Sequence, residues 1–180
     1  MPSIGDFMVA FAAWIRSTPI SGIALVIDKM PLARWMQSHQ AIPVLQTIHI
    51  YAISMLFTGF IMLTARIFMI GNKSRTLAQT MNRFMPWIWW CLLVLTITGW
   101  LMAIADPPRN LTNPAFWTKM IFVPVTALLT LWFQLSMRHH VVAWDGPRGG
   151  PVAVKAASVG FLILWMVIMA LGRWIAYVPT

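Results

Sequence analysis

The chain has 180 residues, 59% of them hydrophobic and only 9% charged, with a net charge of +9. A soluble globular domain carries roughly 25% charged residues, so this composition excludes that class and points to a single all-α integral membrane domain. The thirteen cations stand singly or in small groups at the ends of apolar segments. That placement suits membrane topology and anionic-lipid contact, and excludes a nucleic-acid partner, which needs a basic face with stacking aromatics.

Residues 1–40 are too interrupted to span. Phe7, Met8, Ala10, Phe11, Trp14 and Ile15 recur at helical spacing against Asp6 and Arg16. Ile20–Ile27 is a second apolar stretch, closed by Asp28 and Lys29, and Pro31–Met36 is long enough for a further turn. We expect an N-terminal segment of one or more amphipathic helices lying on the outer membrane surface, or a re-entrant cover over the bundle mouth. No A-x-A-like cleavage site follows a basic leader, so insertion is expected to use the first spanning helix.

Residues 41–180 read as an up-down four-helix bundle with spans at about 43–70, 85–105, 114–138 and 154–177. No charge interrupts the chain between Arg34 and Arg66, and Pro43 suits a first helical turn. The second span lies between Arg83 and Asp106, and Met85-Pro86 marks its expected start, with Trp87, Trp89 and Trp90 as an interfacial belt. Cys91, the only cysteine, sits inside it, so no internal disulfide forms and no thiolate metal site is available. Asn113-Pro114 opens the third span as N-cap and N1 residues. Gly146–Pro151 reads as a turn before the fourth.

Arg66, Lys73, Arg75, Arg83, Arg138, Arg148 and Lys155 flank the first and third connections, against Arg109 and Lys119 around the second. The positive-inside rule therefore puts those two connections in the cytoplasm and both termini in the periplasm, with a bacterial inner membrane as the expected location.

His49 lies six residues beyond Pro43, about 9 Å into the first span. A polar ring at that depth needs a partner, because the bilayer core supplies no water. Gln46, Thr96 or Thr98 would satisfy it by hydrogen bonding, and imidazole is also a haem ligand. Lys119 is expected at similar depth, and no span holds an acidic side chain to pair with it. Haem propionates held by Lys119 and Arg109 would supply that charge; snorkelling to lipid phosphate is the competing reading. Gly99 with Thr96 and Thr98 forms a small-residue window, for a flat macrocycle or for close helix packing. A second axial ligand would come from His39, if the chain bends near Pro43, from Met102 or Met169, or from a partner subunit, and a five-coordinate site is the further alternative. His139-His140 ends the third span and would serve only a second, inner haem. No carboxylate-based proton carrier, hydrolase or nucleotide-binding motif is found.

Leu45-Gln-Thr-Ile-His-Ile-Tyr51, Gly59, Thr64-Ala-Arg-Ile-Phe-Met-Ile-Gly71, Pro86-Trp87, Thr98-Gly99 and Asn113-Pro-Ala-Phe-Trp-Thr-Lys119 form a set. Over about Gln40–Arg138 the chain resembles small bacterial four-helix membrane proteins, themselves similar to the copper-resistance D and cytochrome b561-like families. The resemblance implies a helical bundle with a histidine-ligated b haem or copper, and His49 is the matching position; b561-type proteins have paired histidines on several spans where this chain has one deep histidine.

The leading expectation is a membrane haem b subunit moving electrons between the quinone pool and a periplasmic redox partner, not an enzyme on its own. A non-redox accessory or scaffold subunit of a larger membrane complex, with a satisfied His49 or a bound pigment, is the second reading. Copper handling through methionine and histidine is the third.

Overall fold

The computed structural model describes residues 4–38, 40–70, 75–141, 144 and 150–177, and among them eight α-helices and no strand. They are α1 (Ile4–Ser17), α2 (Ile20–Asp28), α3 (Pro31–Ser38), α4 (Ala41–Ile67), α5 (Leu77–Ala105), α6 (Pro107–Leu111), α7 (Pro114–His140) and α8 (Val152–Trp174). The helices α4, α5, α7 and α8 have 27, 29, 27 and 23 residues. At 1.5 Å per residue each exceeds the ~30 Å hydrocarbon core of a bilayer. Their outward faces stay apolar: Trp90 is 65% exposed, Trp132 66% and Leu128 66%. Surfaces of that kind are stable against lipid rather than water. The protein is a multi-pass membrane protein built on four apolar helices.

Two local differences from the sequence expectation stand out. Helix α5 starts at Leu77, two turns before Met85-Pro86, and Pro86 lies inside it. The reason is a capping box: Thr76 N–H donates to Gln79 Oε1 at 3.0 Å, and Gln79 N–H donates to Thr76 Oγ1 at 3.2 Å. Reciprocal caps of this type fix a helix start, and an apolar, well-packed helix tolerates one interior proline. The short α6, with Pro107 and Pro108 in its first turn, was not anticipated. At α7 the expected cap is present, Ala115 N–H donating to Asn113 Oδ1 at 2.9 Å.

The residues group into two compact units. The first holds Met1–His49, Thr96–Val123 and Ile168–Thr180. In it α2 packs against α6, α1 and α3. Gln37 Nε2 donates to Asp28 Oδ1 and to the Ala105 carbonyl, both at 2.9 Å, tying α3 to α2 and to the end of α5. Asn113, fully buried, donates from Nδ2 to the Ile175 carbonyl at 3.0 Å, which joins the start of α7 to the chain beyond α8. The N-terminal helices are thus tied to α6 and to the last residue of α5; α1 and α2 meet at a 72° bend.

The second unit holds Ile50–Leu95 and Pro124–Val167. Its core is a ring of four helix pairs. A Cβ on Gly59 of α4 would stand 3.0 Å from Ile88 of α5, so this glycine permits close approach. Phe60 of α4 stacks on Phe161 of α8 at 5.7 Å, and Phe161 meets Phe133 of α7 at 5.2 Å. Trp89 Nε1 of α5 donates to Gln134 Oε1 of α7 at 2.7 Å, closing the ring. Where hydrocarbon surrounds every helix, such small-residue contacts and interhelical hydrogen bonds supply the association energy.

Candidate functional site

His49 is on α4, 9% exposed, and its Nδ1 lies 2.7 Å from Thr98 Oγ1 of α5, itself 5% exposed. Of the three side chains expected as hydrogen-bonding partners, Thr98 is the one at bonding distance. Gly99 adjoins the same ring: a Cβ there would lie 3.7 Å from His49 Cε1, an ordinary contact. An alanine would just touch the imidazole, and a longer side chain would occupy the space beside it.

Lys119 belongs to the second turn of α7 and is half-buried. Its ammonium runs along α8: a Cβ on Gly172 would meet Nζ at 3.3 Å. Glycine at 172 makes room for the lysine stem. No acidic side chain among the described residues bonds to Lys119, and none of the four long helices contains one. The candidate residues on these helices are therefore a buried imidazole paired with a hydroxyl, and an ammonium, with no carboxylate among the described residues of the long helices.

The other candidates are placed as follows. Arg109 is exposed on α6 and its Nη2 donates to the Ala176 carbonyl at 3.4 Å, so it braces the chain beyond α8. Met102 is half-buried on α5 and takes part through its carbonyl, which accepts from Asn110 Nδ2 at 3.4 Å. Met169 is half-buried on α8. His39 lies outside the described residues; α3 ends at Ser38 and α4 begins at Ala41, so no continuous helix joins positions 39 and 49. His139 and His140 are both exposed at the end of α7. His140 Nδ1–H donates to the Ser136 carbonyl at 3.1 Å and its ring stacks on Trp144 at 5.5 Å. The described residues contain no group of three or more His, Cys, Asp or Glu arranged for a metal ion.

Sequence reasoning did not single out a polar stripe on α7. Thr126, Thr130 and Gln134 recur every four residues on one helix face and are all buried. Their i, i+4, i+8 spacing was the available signal. Nor did it single out Trp165, whose Nε1 is buried beside Phe60 with no hydrogen-bond partner among the described residues.

No family model matches the chain, and comparisons with curated proteins and with solved structures give no match either.

Proposed function

We propose that this chain is a haem b-binding membrane subunit for electron transfer between quinol in the bilayer and a redox partner outside it, with His49 as an axial ligand. The observation that supports this reading is the His49–Thr98 contact of 2.7 Å beside Gly99. A ligating histidine characteristically has its second ring nitrogen fixed by a neighbour, which sets tautomer and ring orientation. Here Nδ1 is the fixed nitrogen and Nε2 is the one left for iron.

The residues fit the group in charge as well. Lys119 is a half-buried ammonium with no carboxylate among the described residues bonded to it, and propionates are anionic. Bound haem would supply a one-electron iron couple. Around it His49 would hold the metal, Thr98 orient the imidazole, Gly99 keep the space beside the ring open and Lys119 neutralise carboxylate charge. The apolar helices exclude water, which raises the weight of each of these contacts.

The test is a reduced-minus-oxidised visible spectrum of detergent-purified protein made in haem-replete cells, with His49→Ala alongside. A sharp b-type α band that disappears in His49→Ala is the expected result. Wild-type protein without a Soret band overturns the proposal, and metal analysis of that sample then decides whether copper is held instead.

A second reading has the same contact in its favour. The His49–Thr98 pair closes α4 on α5 without any cofactor, as polar pairs do between membrane helices. The chain would then be a non-redox accessory subunit, colourless, in which His49→Ala and Thr98→Val destabilise to a similar extent.

A further inference from the structure

The second unit is unbalanced in charge. Its described residues include Arg66, Arg75, Arg83, Arg138 and Lys155 and no acidic residue. Arg66 is buried and committed to the fold, its Nε donating to the Arg75 carbonyl at 2.7 Å. Lys155 lies over the Phe68 ring at 5.8 Å. Arg75, Arg83 and Arg138 are exposed, and all three line cavities at one end of α5 and α7.

Two cavities meet at Asn82. One, of about 200 Å³, lies between α5 and α7; Met85 and Trp89 form its apolar side, and Gln134 and Arg138 its polar side. The other, of about 610 Å³ and widely open, is bordered by Arg75 and Arg83. The first is already several times the ~30 Å³ that one water occupies in the liquid. The Arg66 bond to the Arg75 carbonyl pins the backbone that carries one of the three guanidinium groups. The Trp89–Gln134 bond fixes the wall between the helices.

A cleft with guanidinium groups at its mouth and thioether and indole on its wall is matched to an anionic amphiphile. Guanidinium groups bind phosphate oxygens in a bidentate fork. Basic pockets between membrane helices near the interface take anionic phospholipid headgroups. The exposed Trp87 and Trp90 in the next turns of α5 mark the interfacial level where such a headgroup lies. We propose that this cleft is a binding site for one anionic phospholipid, its phosphodiester held by Arg75, Arg83 and Arg138 and its acyl chains lying against Met85 and Trp89. The site is independent of His49 and of the haem reading. Its shared chemistry is phosphate, so free phosphate is the competing source.

The experiment is native mass spectrometry of the full chain released from detergent, titrated with phosphatidylglycerol, with phosphatidylcholine of the same acyl chains, and with inorganic phosphate. The expected result is one phosphatidylglycerol retained per chain, on the order of tenfold tighter than phosphatidylcholine. The double variant Arg83→Gln/Arg138→Gln should abolish that preference, Arg83→Lys/Arg138→Lys should keep most of it, and Arg16→Gln in the other unit should leave it unchanged. Equal retention of the two lipids by wild type overturns the proposal, whether or not the variants fold. So does a preference that survives the double Gln variant. Inorganic phosphate that displaces phosphatidylglycerol at millimolar concentration overturns the lipid as occupant.

Discussion

A threonine inside a membrane helix has a carbonyl of its own to donate to, four residues back. This chain uses that bond repeatedly: Thr47 to Pro43 at 2.9 Å, Thr80 to Thr76 at 3.0 Å, Thr118 to Pro114 at 2.9 Å and Thr130 to Thr126 at 2.7 Å. A hydroxyl with its proton so directed has its oxygen left to accept. If Thr98 directs its proton the same way, it accepts from His49 Nδ1–H, and the lone pair of His49 stands on Nε2. The prediction is a single Nδ1–H tautomer in ¹⁵N spectra of histidine-labelled protein. Thr98→Ser should preserve it; Thr98→Val should mix the tautomers and cost about 1 kcal/mol of stability, the worth of one such bond. If the mixture is already present in wild type, the argument for a pre-set ligand at His49 fails. At this scale the sequence was partly readable. A polar ring that deep had to find a hydroxyl or amide, and Thr98 was one of three within reach. Which of the three depends on the rotation of α5 about its own axis, and no local pattern carries that. Gly172 as the bed for Lys119 was hidden for the same reason, since it depends on how α7 meets α8.

At the scale of the element, apolar length decides what is legible. Runs of twenty or more apolar residues announce the four long helices without any help from packing. Their starts are harder, because proline is read as an opening signal whenever it stands near the end of an apolar run. In α7 that reading holds, since Pro114 follows the Asn113 cap. In α5 it does not, because Thr76 and Gln79 cap each other, Thr76 standing eleven residues before the tryptophan belt begins. Thr76→Ala should therefore cost about 1 kcal/mol, measured as a lowered melting temperature of the detergent-solubilised protein. The glycines separate more sharply. Gly59 faces Ile88 at a notional Cβ distance of 3.0 Å, whereas a Cβ on Gly160 meets nothing within 4 Å. Gly59→Leu should force α4 from α5 and lower stability by 1–3 kcal/mol, roughly the overpacking range. Gly160→Leu should be close to neutral, since its side chain would enter open space. Equal losses in the two variants would mean that Gly59 is not a packing contact.

For the whole molecule the open quantity is the parity of membrane crossings, because α1 and α2 together are long and apolar enough to form a bent fifth span. The structure favours four. The 72° bend falls at Thr18-Pro19, and Thr18 Oγ1 donates to the Ile15 carbonyl at 2.5 Å in the turn itself. Beyond the bend α2 packs on α6, and Gln37 then bonds to Asp28 and to the last carbonyl of α5. Those contacts hold α2 and α3 to residues 105–111, the short connection that joins two spans at one membrane face. A crossing by α1 alone would have only 14 residues, roughly 21 Å, to traverse a core of ~30 Å, with Asp6 and Arg16 inside it. If α1 lies along that face, the four spans return the chain to its starting side. Reporter fusions at the N-terminus and after Thr180 should then read the same compartment, and one inserted between Ile70 and Arg75 the opposite one. The excess of cations near the first and third connections makes the cytoplasm the expected side for that insertion. Termini in different compartments would show that α1 and α2 cross.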